Sequence, residues 1–132
     1  MGFPKNFVWG VASSSYQVEG AWNRDGKGLS VWDTYVHEPG HIQNQDTGDT
    51  ACDQYGHIKE DIALMAEMQI KAYRFSISWS RVMPDGQVNP AGLAFYQKLI
   101  DLLLENEIQP IVTVFHFDLP VAIAKQGGWE NR

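Results

Sequence analysis

Residues 73–84, YRFSISWSRVMP, alternate large apolar side chains with polar ones, which is the pattern of a half-buried β-strand. The apolar set is Tyr73, Phe75, Ile77 and Trp79, and the polar set is Arg74, Ser76 and Ser78. In a parallel barrel the outward face packs against helices and the inward face fills the interior. We therefore expect Arg74 to point inward, where a charged group needs an acid, a ligand or both as its partner.

The pattern predicts three strands in all. The central strand covers residues 72–78. An earlier run at residues 7–11 is aromatic and β-branched and is followed by serines, which predicts a short first strand. A later run at residues 110–116 is almost continuously apolar, as expected for a strand that is covered on both faces.

Helical periodicity occupies the intervals between these strands. Thr50, as an N-cap with Asp53 three residues on, predicts a helix over residues 51–68. Its apolar stripe is Tyr55, Ile58, Ile62, Met65 and Ala66. Asn89 and Pro90 begin a second helix that ends at Asn106. The stripe of this second helix is Leu93, Tyr96, Ile100 and Leu103. A short helix is predicted over residues 121–125.

The order of elements is strand, loop and helix, strand, helix, strand, which predicts an α/β fold with parallel strands and right-handed crossovers. Residues 12–49 lack clear periodicity, and a loop of that length usually carries function or covers something. Three parallel strands alone leave two open edges and an uncovered apolar face. We therefore expect the chain to be a fragment or one chain of an assembly.

Composition excludes several classes of function. The net charge of −6 provides no basic surface for nucleic acid or for an anionic membrane. The N-terminal residues resemble neither a signal peptide nor a membrane span, so we expect a cytoplasmic protein. The single cysteine, Cys52, suits a reducing compartment, and we expect it to be buried and to have no chemical role.

One short motif imitates a zinc site. Residues 37–41, HEPGH, match the H-E-x-x-H pattern of zinc proteases. That pattern needs a helix to bring both histidines to one face, and Pro39-Gly40 would break the helix between them. We therefore predict no metal site, and we expect no cofactor.

Several blocks together resemble one family over essentially the whole chain, the family 1 glycoside hydrolases of the β-glucosidase group. The blocks are Phe3-Pro4, Phe7, Trp9-Gly10, Tyr16-Gln17-Val18-Glu19-Gly20-Ala21, Ser30-Val31-Trp32-Asp33-Thr34, Asp49, Ala51-Cys52-Asp53, residues 73–81 and His116-Phe117-Asp118-Leu119-Pro120.

The resemblance implies a (β/α)8 barrel that cleaves β-linked sugars with retention of configuration. Residues 1–132 would be the N-terminal fragment of this single barrel domain, with its first three βα units and no internal boundary. The family uses one glutamate as acid/base and another as nucleophile, and both would lie beyond Arg132. We therefore expect no catalytic residue in this chain and no activity from the chain alone.

The resemblance also assigns binding roles. Gln17 would grip the non-reducing sugar through an amide that both donates and accepts hydrogen bonds. His116, expected at the carboxyl end of the third strand, would bind the same sugar. Phe117 stands where the family usually has tryptophan. A phenyl ring keeps the apolar wall against the sugar but lacks the indole N–H donor. Arg74 would lie near the nucleophile and favour its ionised form, or would form an ion pair inside the barrel.

Two acids and five tryptophans need separate interpretation. Glu19 and Asp118 follow the first and third strands and could be mistaken for the catalytic pair. The family pattern instead indicates structural acids that hold loops or pair with Arg74 or Arg81. We interpret Trp9, Trp32 and Trp79 as packing residues, while Trp22 and Trp129 stay open.

Two functional hypotheses remain. In the first, the chain joins a complementary C-terminal barrel chain and binds a β-glycoside as part of a β-glucosidase-like hydrolase. In the second, it is a non-catalytic fragment that covers its open edges with copies of itself and retains weak sugar binding.

Overall fold

The computed structural model describes residues 2–131, and these contain one parallel three-stranded sheet. Its strands are β1 (Gly10–Ala12), β2 (Ala72–Ser76) and β3 (Gln109–Thr113), in the order β1-β2-β3. Each neighbouring pair is parallel, so the predicted α/β class is confirmed. Because β1 and β3 each pair only with β2, the sheet is open at both edges.

The core lies on the outer face of the central strand. Tyr73 and Phe75 are 2% exposed and pack in one cluster with residues of the two long helices, as the alternation of residues 73–78 predicted. Arg74, between them, is exposed on the other face. One face of the sheet is therefore covered by the long helices, and the other is open to solvent at Arg74.

The helices are α1 (Ser15–Val18), α2 (Val31–His37), α3 (Gln54–Glu67), α4 (Trp79–Val82), α5 (Pro90–Glu105) and α6 (Val121–Ala124). Single 3-10 turns occur at Gln43–Gln45 and Gly128–Glu130. Two of these helices, α1 and α2, lie inside the segment 12–49, which therefore has more regular structure than its sequence pattern indicates.

Helix α5 confirms the start predicted for it. The Asn89 side chain accepts a hydrogen bond from the Ala91 N–H at 3.2 Å, and Pro90 is the first helical residue. The predicted stripe was wrong at Leu93, which is 51% exposed, and it omitted Phe95 and Leu99, which are buried. The buried face is rotated because α5 packs on both α3 and α4 as well as on the sheet.

The start predicted for α3 was wrong. Asp53, and not Thr50, occupies the N-cap position, and its side chain makes no capping hydrogen bond. Ala51 and Asp53 have φ of 47° and 50°, so a left-handed turn precedes the helix. Cys52 lies in this turn and is exposed, which corrects the expected burial of its thiol.

All three strands are displaced from their predicted limits. The first begins at Gly10, because Phe7 and Trp9 instead pack with Phe3 in an aromatic cluster ahead of the sheet. The second ends at Ser76, since helix α4 begins at Trp79. The third ends at Thr113, so His116 lies in the following loop and not in the strand.

We expect Gly92→Ala to destabilise the chain, because a Cβ at Gly92 would lie 2.2 Å from the carbonyl oxygen of Arg81. The free energy of unfolding should fall by about 1–3 kcal/mol, although alanine is normally preferred to glycine inside a helix. Urea denaturation followed by circular dichroism would measure this change.

The matched control is Gly56→Ala in α3, where the nearest atom, 3.0 Å away, belongs to the Asp53 side chain, which can turn aside. This control should be neutral or slightly stabilising. Equal effects of the two substitutions would show that the close contact between α4 and α5 does not limit stability.

Candidate functional site

A cleft of about 330 Å³ lies past the carboxyl ends of the strands. It is lined by Ser14, Tyr16, Gln17, Trp32, His116 and Phe117. The structure therefore brings together the three residues that the sequence predicted for sugar binding. Gln17 lies in α1, whereas His116 and Phe117 follow β3, about one hundred positions later in the chain. Ser14, Tyr16 and Trp32 were not nominated as site residues.

Gln17 is exposed on the short helix α1. Ser14 Oγ donates to Gln17 Oε1 at 2.7 Å, which orients the amide. The amide can still donate through its nitrogen and accept through its second lone pair. A neighbouring pair of sugar hydroxyls needs both of these functions.

His116 and Phe117 form the opposite side of the cleft. Phe117 has φ of 67° and is 71% exposed, so the loop presents its ring instead of burying it. The two ring centroids are 5.6 Å apart. A residue with left-handed backbone and an exposed aromatic ring is unfavourable for folding alone, and such strain is concentrated at functional sites.

A chain of buried hydroxyl groups joins the two sides of the cleft. The Ser15 N–H donates to Ser76 Oγ at 2.8 Å, and Ser76 Oγ donates to Ser15 Oγ at 3.1 Å. Ser15 Oγ in turn donates to Asp118 Oδ2 at 2.8 Å. Helix α1, strand β2 and the loop after β3 are therefore connected directly behind Gln17 and Phe117.

Asp118 is a structural acid, as expected, although neither arginine is its partner. It is 1% exposed and does not line the cleft. Burial raises the pKa of Asp118, while the hydrogen bond from Ser15 opposes the rise.

Glu19 forms the expected ion pair with Arg81. Arg81 Nε donates to Glu19 Oε2 at 2.9 Å, and both residues are buried. The Tyr96 hydroxyl donates to the other carboxylate oxygen, and Arg81 Nη2 donates to the Gly20 carbonyl at 3.2 Å. The guanidinium also lies 4.3 Å from the centre of the Tyr55 ring. The pair therefore holds the segment after α1 against α3, α4 and α5.

Burial raises the pKa of Glu19, and the Arg81 guanidinium is the largest influence against that rise. Glu19 thus depends on one cation for its charge. It contacts no part of the cleft, which excludes it as a catalytic acid in this arrangement.

Arg74 departs from the expectation for a buried, paired cation. It is exposed on the open inner face of β2, and no carboxylate of residues 2–131 lies within ion-pair distance of it. The inner face is open to solvent at Arg74, whereas Ser76 on the same face is buried under α1.

The tryptophans divide differently from the expectation. Trp79 packs against the core, as expected. Trp9 packs with Phe3 and Phe7, and Trp32 packs with Tyr16, but they are 55% and 39% exposed and neither belongs to the buried core. The sequence assigned no role to the other two tryptophans: Trp22 packs edge-on against His37, and Trp129 is 66% exposed.

The zinc motif is interrupted as predicted, because α2 ends at His37 and Gly40 has φ of 87°. Residues 2–131 contain no cluster of three His, Cys, Asp or Glu side chains that could hold a metal ion. Within the same residues, no helix is both long enough and apolar enough to cross a membrane.

A parallel sheet with alternating helices, and with amide, imidazole and aromatic groups past the strand ends, is the arrangement expected for part of a (β/α)8 barrel. The profile of glycosyl hydrolase family 1 matches residues 1–132. The chain belongs to this family, as its sequence blocks indicated.

Its relatives are much longer than this chain. It is 54% identical over 132 residues to β-glucosidase A of Thermotoga maritima, with 98% of this chain and 30% of the relative covered. It is 56% identical over 133 residues to the aryl-phospho-β-D-glucosidase BglC of Bacillus subtilis, covering 98% and 28%. The solved structure of the family 1 β-glucosidase from Thermotoga maritima superposes with a TM-score of 0.94, at 53% identity and with 98% and 30% covered. The chain thus spans about 30% of the length of that structure and matches its N-terminal part.

Arg81→Met should lower the free energy of unfolding by about 3–5 kcal/mol, because it leaves Glu19 buried without its counter-ion. The pKa of Glu19 would then rise further above its usual 4.5. A carboxyl with a raised folded pKa contributes stability that is lost as pH rises through that pKa. The variant should therefore be more stable in mildly acidic than in neutral solution, as measured by urea denaturation.

Two further variants control this experiment. Arg24→Met removes an exposed arginine and should have little effect. Adding Glu19→Gln to Arg81→Met should remove the new pH dependence. Unchanged pH dependence in that double variant would assign it to another group.

Proposed function

We propose that this chain supplies the sugar-binding part of a retaining β-glycosidase of the β-glucosidase type. Gln17 and His116 bind hydroxyls of the non-reducing sugar, and Phe117 forms an apolar wall against its C–H face. The observation that carries the proposal is the single cleft that these three residues share. Relatives support the substrate class, since the Thermotoga maritima structure has been solved in complex with castanospermine.

We assign the two catalytic carboxylates to the remainder of the barrel. Retaining hydrolysis needs two carboxyl groups about 5–5.5 Å apart across the scissile bond. None of the six residues that line the cleft is an acid. Arg74, exposed on the inner face beside β3, is free to meet the nucleophile and favour its ionised form.

The complementary part of the barrel is the partner that we propose. Along β3 and the loop after it, Ile111, Val112 and Val114 are 45%, 41% and 76% exposed. Both sheet edges are unpaired within the described residues. Residues 1–132 then form one continuous portion of a single domain, and the exposed thiol of Cys52 suits action in the reducing cytoplasm.

The test combines this chain with a second polypeptide that carries the remaining strands of a family 1 barrel. Native mass spectrometry should show a heteromer, and the mixture should hydrolyse a nitrophenyl β-glucoside. Gln17→Ala and His116→Ala should each lower kcat/KM by about tenfold to hundredfold, because each removes a hydrogen bond to the sugar.

Gln97→Ala, an exposed amide on α5, is the matched control and should retain full activity. Turnover by the 132-residue chain alone would contradict the assignment of the carboxylates. A homo-oligomer that does not bind the second polypeptide would instead favour the hypothesis of a self-associating, non-catalytic fragment.

A further inference from the structure

Trp32 lies where three concave surfaces meet. It lines the cleft that contains Gln17 and His116, and it also lines a second, mainly apolar pocket of about 310 Å³ with Val31 and Tyr35. A third pocket of about 340 Å³ shares Tyr16, Gln17 and Trp32 with the cleft. The apolar surface beside Trp32 is therefore continuous with the proposed sugar site.

Aromatic rings form a row along this surface. The Tyr16 and Trp32 centroids are 5.9 Å apart, and those of Trp32 and Tyr35 are 6.0 Å apart with planes at 87°. Tyr35 is 45% exposed and stacks on His41 at 4.4 Å. The row, Tyr16, Trp32 and Tyr35, leads away from Gln17 and is named the aromatic shelf.

The backbone beneath the shelf is held firmly. Ser30 and Asp33 form a reciprocal capping box at the start of α2. Asp33 is 1% exposed and pairs with Lys27 at 2.8 Å. Because Trp32 and Tyr35 both lie on this anchored helix, the backbone that carries their rings needs little ordering on binding.

We propose that Trp32 and Tyr35 form a second subsite, which takes the apolar face of the ring joined to the sugar through the glycosidic oxygen. This inference rests on the proposed function, because only a glycoside held by Gln17 and His116 would direct its leaving group along the shelf. Indole and phenol rings bind flat apolar faces well, and their geometry suits an aromatic ring or the C–H face of a second pyranose.

The test uses the assembled heteromer, made with a second polypeptide whose nucleophile glutamate is replaced by glutamine so that no ligand is hydrolysed. The three ligands are methyl β-glucoside, phenyl β-glucoside and cellobiose. In wild type, the phenyl ligand should bind more tightly than the methyl ligand. Tyr35→Leu should reduce the ratio of their affinities by about threefold to tenfold. Trp32→Leu should reduce it at least as much, and Trp32→Phe should restore part of it. Isothermal titration calorimetry would give these values.

Trp9→Leu is the control, because Trp9 is exposed at the opposite end of β1 and should leave the ratio unchanged. If Tyr35→Leu and Trp32→Leu also lower the affinity for cellobiose, a second sugar is an accepted occupant of the shelf. If the affinity for cellobiose is unchanged in both variants, the shelf accepts only aromatic rings. An unchanged phenyl-to-methyl ratio in Tyr35→Leu and Trp32→Leu would overturn the shelf alone. Failure of all three ligands to bind wild type would overturn the proposed function as well.

A separate observation concerns a small polar cavity of about 10 Å³ behind the cleft. Two buried atoms that belong to its lining residues have no hydrogen-bond partner among residues 2–131, the Tyr16 hydroxyl and Asp118 Oδ1. Lys27 and Ser78 line the same cavity. A cavity of this size holds one water molecule when two or more polar groups can bind it.

We infer that one ordered water occupies this cavity, accepting a hydrogen bond from Tyr16 and donating one to Asp118. Tyr16 precedes Gln17, and Asp118 follows Phe117, so the water joins the two sides of the sugar cleft. Tyr16 and Asp118 then act as positioning residues for their neighbours. The Tyr16 ring is itself closely held, since a Cβ at Gly48 would lie 2.8 Å from it.

A high-resolution crystal structure of the heteromer should show one water peak in this cavity, and Tyr16→Phe should remove or displace it. Tyr16→Phe and Asp118→Asn should each weaken methyl β-glucoside binding, and the double variant should be no weaker than the worse single variant, because one bridge is lost. A dry cavity, a direct Tyr16–Asp118 hydrogen bond or fully additive losses would overturn the inference.

Discussion

The buried ion pair between Glu19 and Arg81 is the interaction on which the arrangement of this chain depends. The arginine is fully buried, and it bonds to a carboxylate and a carbonyl beyond α1 while lying over the Tyr55 ring of α3. Its own carbonyl accepts from Asn89, the residue that caps α5. A buried charge without a partner is strongly unfavourable, so arrangements that separate Glu19 from Arg81 are disfavoured.

That constraint also explains how residues 2–131 alone hold the residues of the cleft in position. Glu19 follows Gln17 by two residues, so the ion pair fixes the backbone that presents the amide. The hydroxyl chain through Ser15 and Ser76 then ties Asp118, and with it Phe117, to the same position. Preorganised polar groups bind a sugar with less loss of conformational freedom than mobile ones do. In our proposal, this chain contributes the sugar contacts and the rest of the barrel contributes the reacting carboxylates.

Local signals predicted local features well. Asn89-Pro90 marked the start of α5 because capping and the fixed φ of proline act within one turn. The alternation of Tyr73 and Phe75 identified the buried face of β2 because the side-chain period of a strand is a backbone property. Thr50 failed as a cap because a left-handed turn at Ala51 and Asp53 moved the helix start, and nothing local in the sequence required that turn.

The amino-acid sequence by itself determined the order of the three strands and the two long helices, the parallel arrangement of the strands and the family, since these follow from periodicity, turn chemistry and blocks of matching residues. Only the tertiary structure decided which arginine is buried and paired, Arg81 and not Arg74, and that Trp32 stands exposed beside Gln17. The reason is physical: whether a charge or an aromatic ring is buried depends on which segments pack around it, and these contacts are made between residues far apart in the chain.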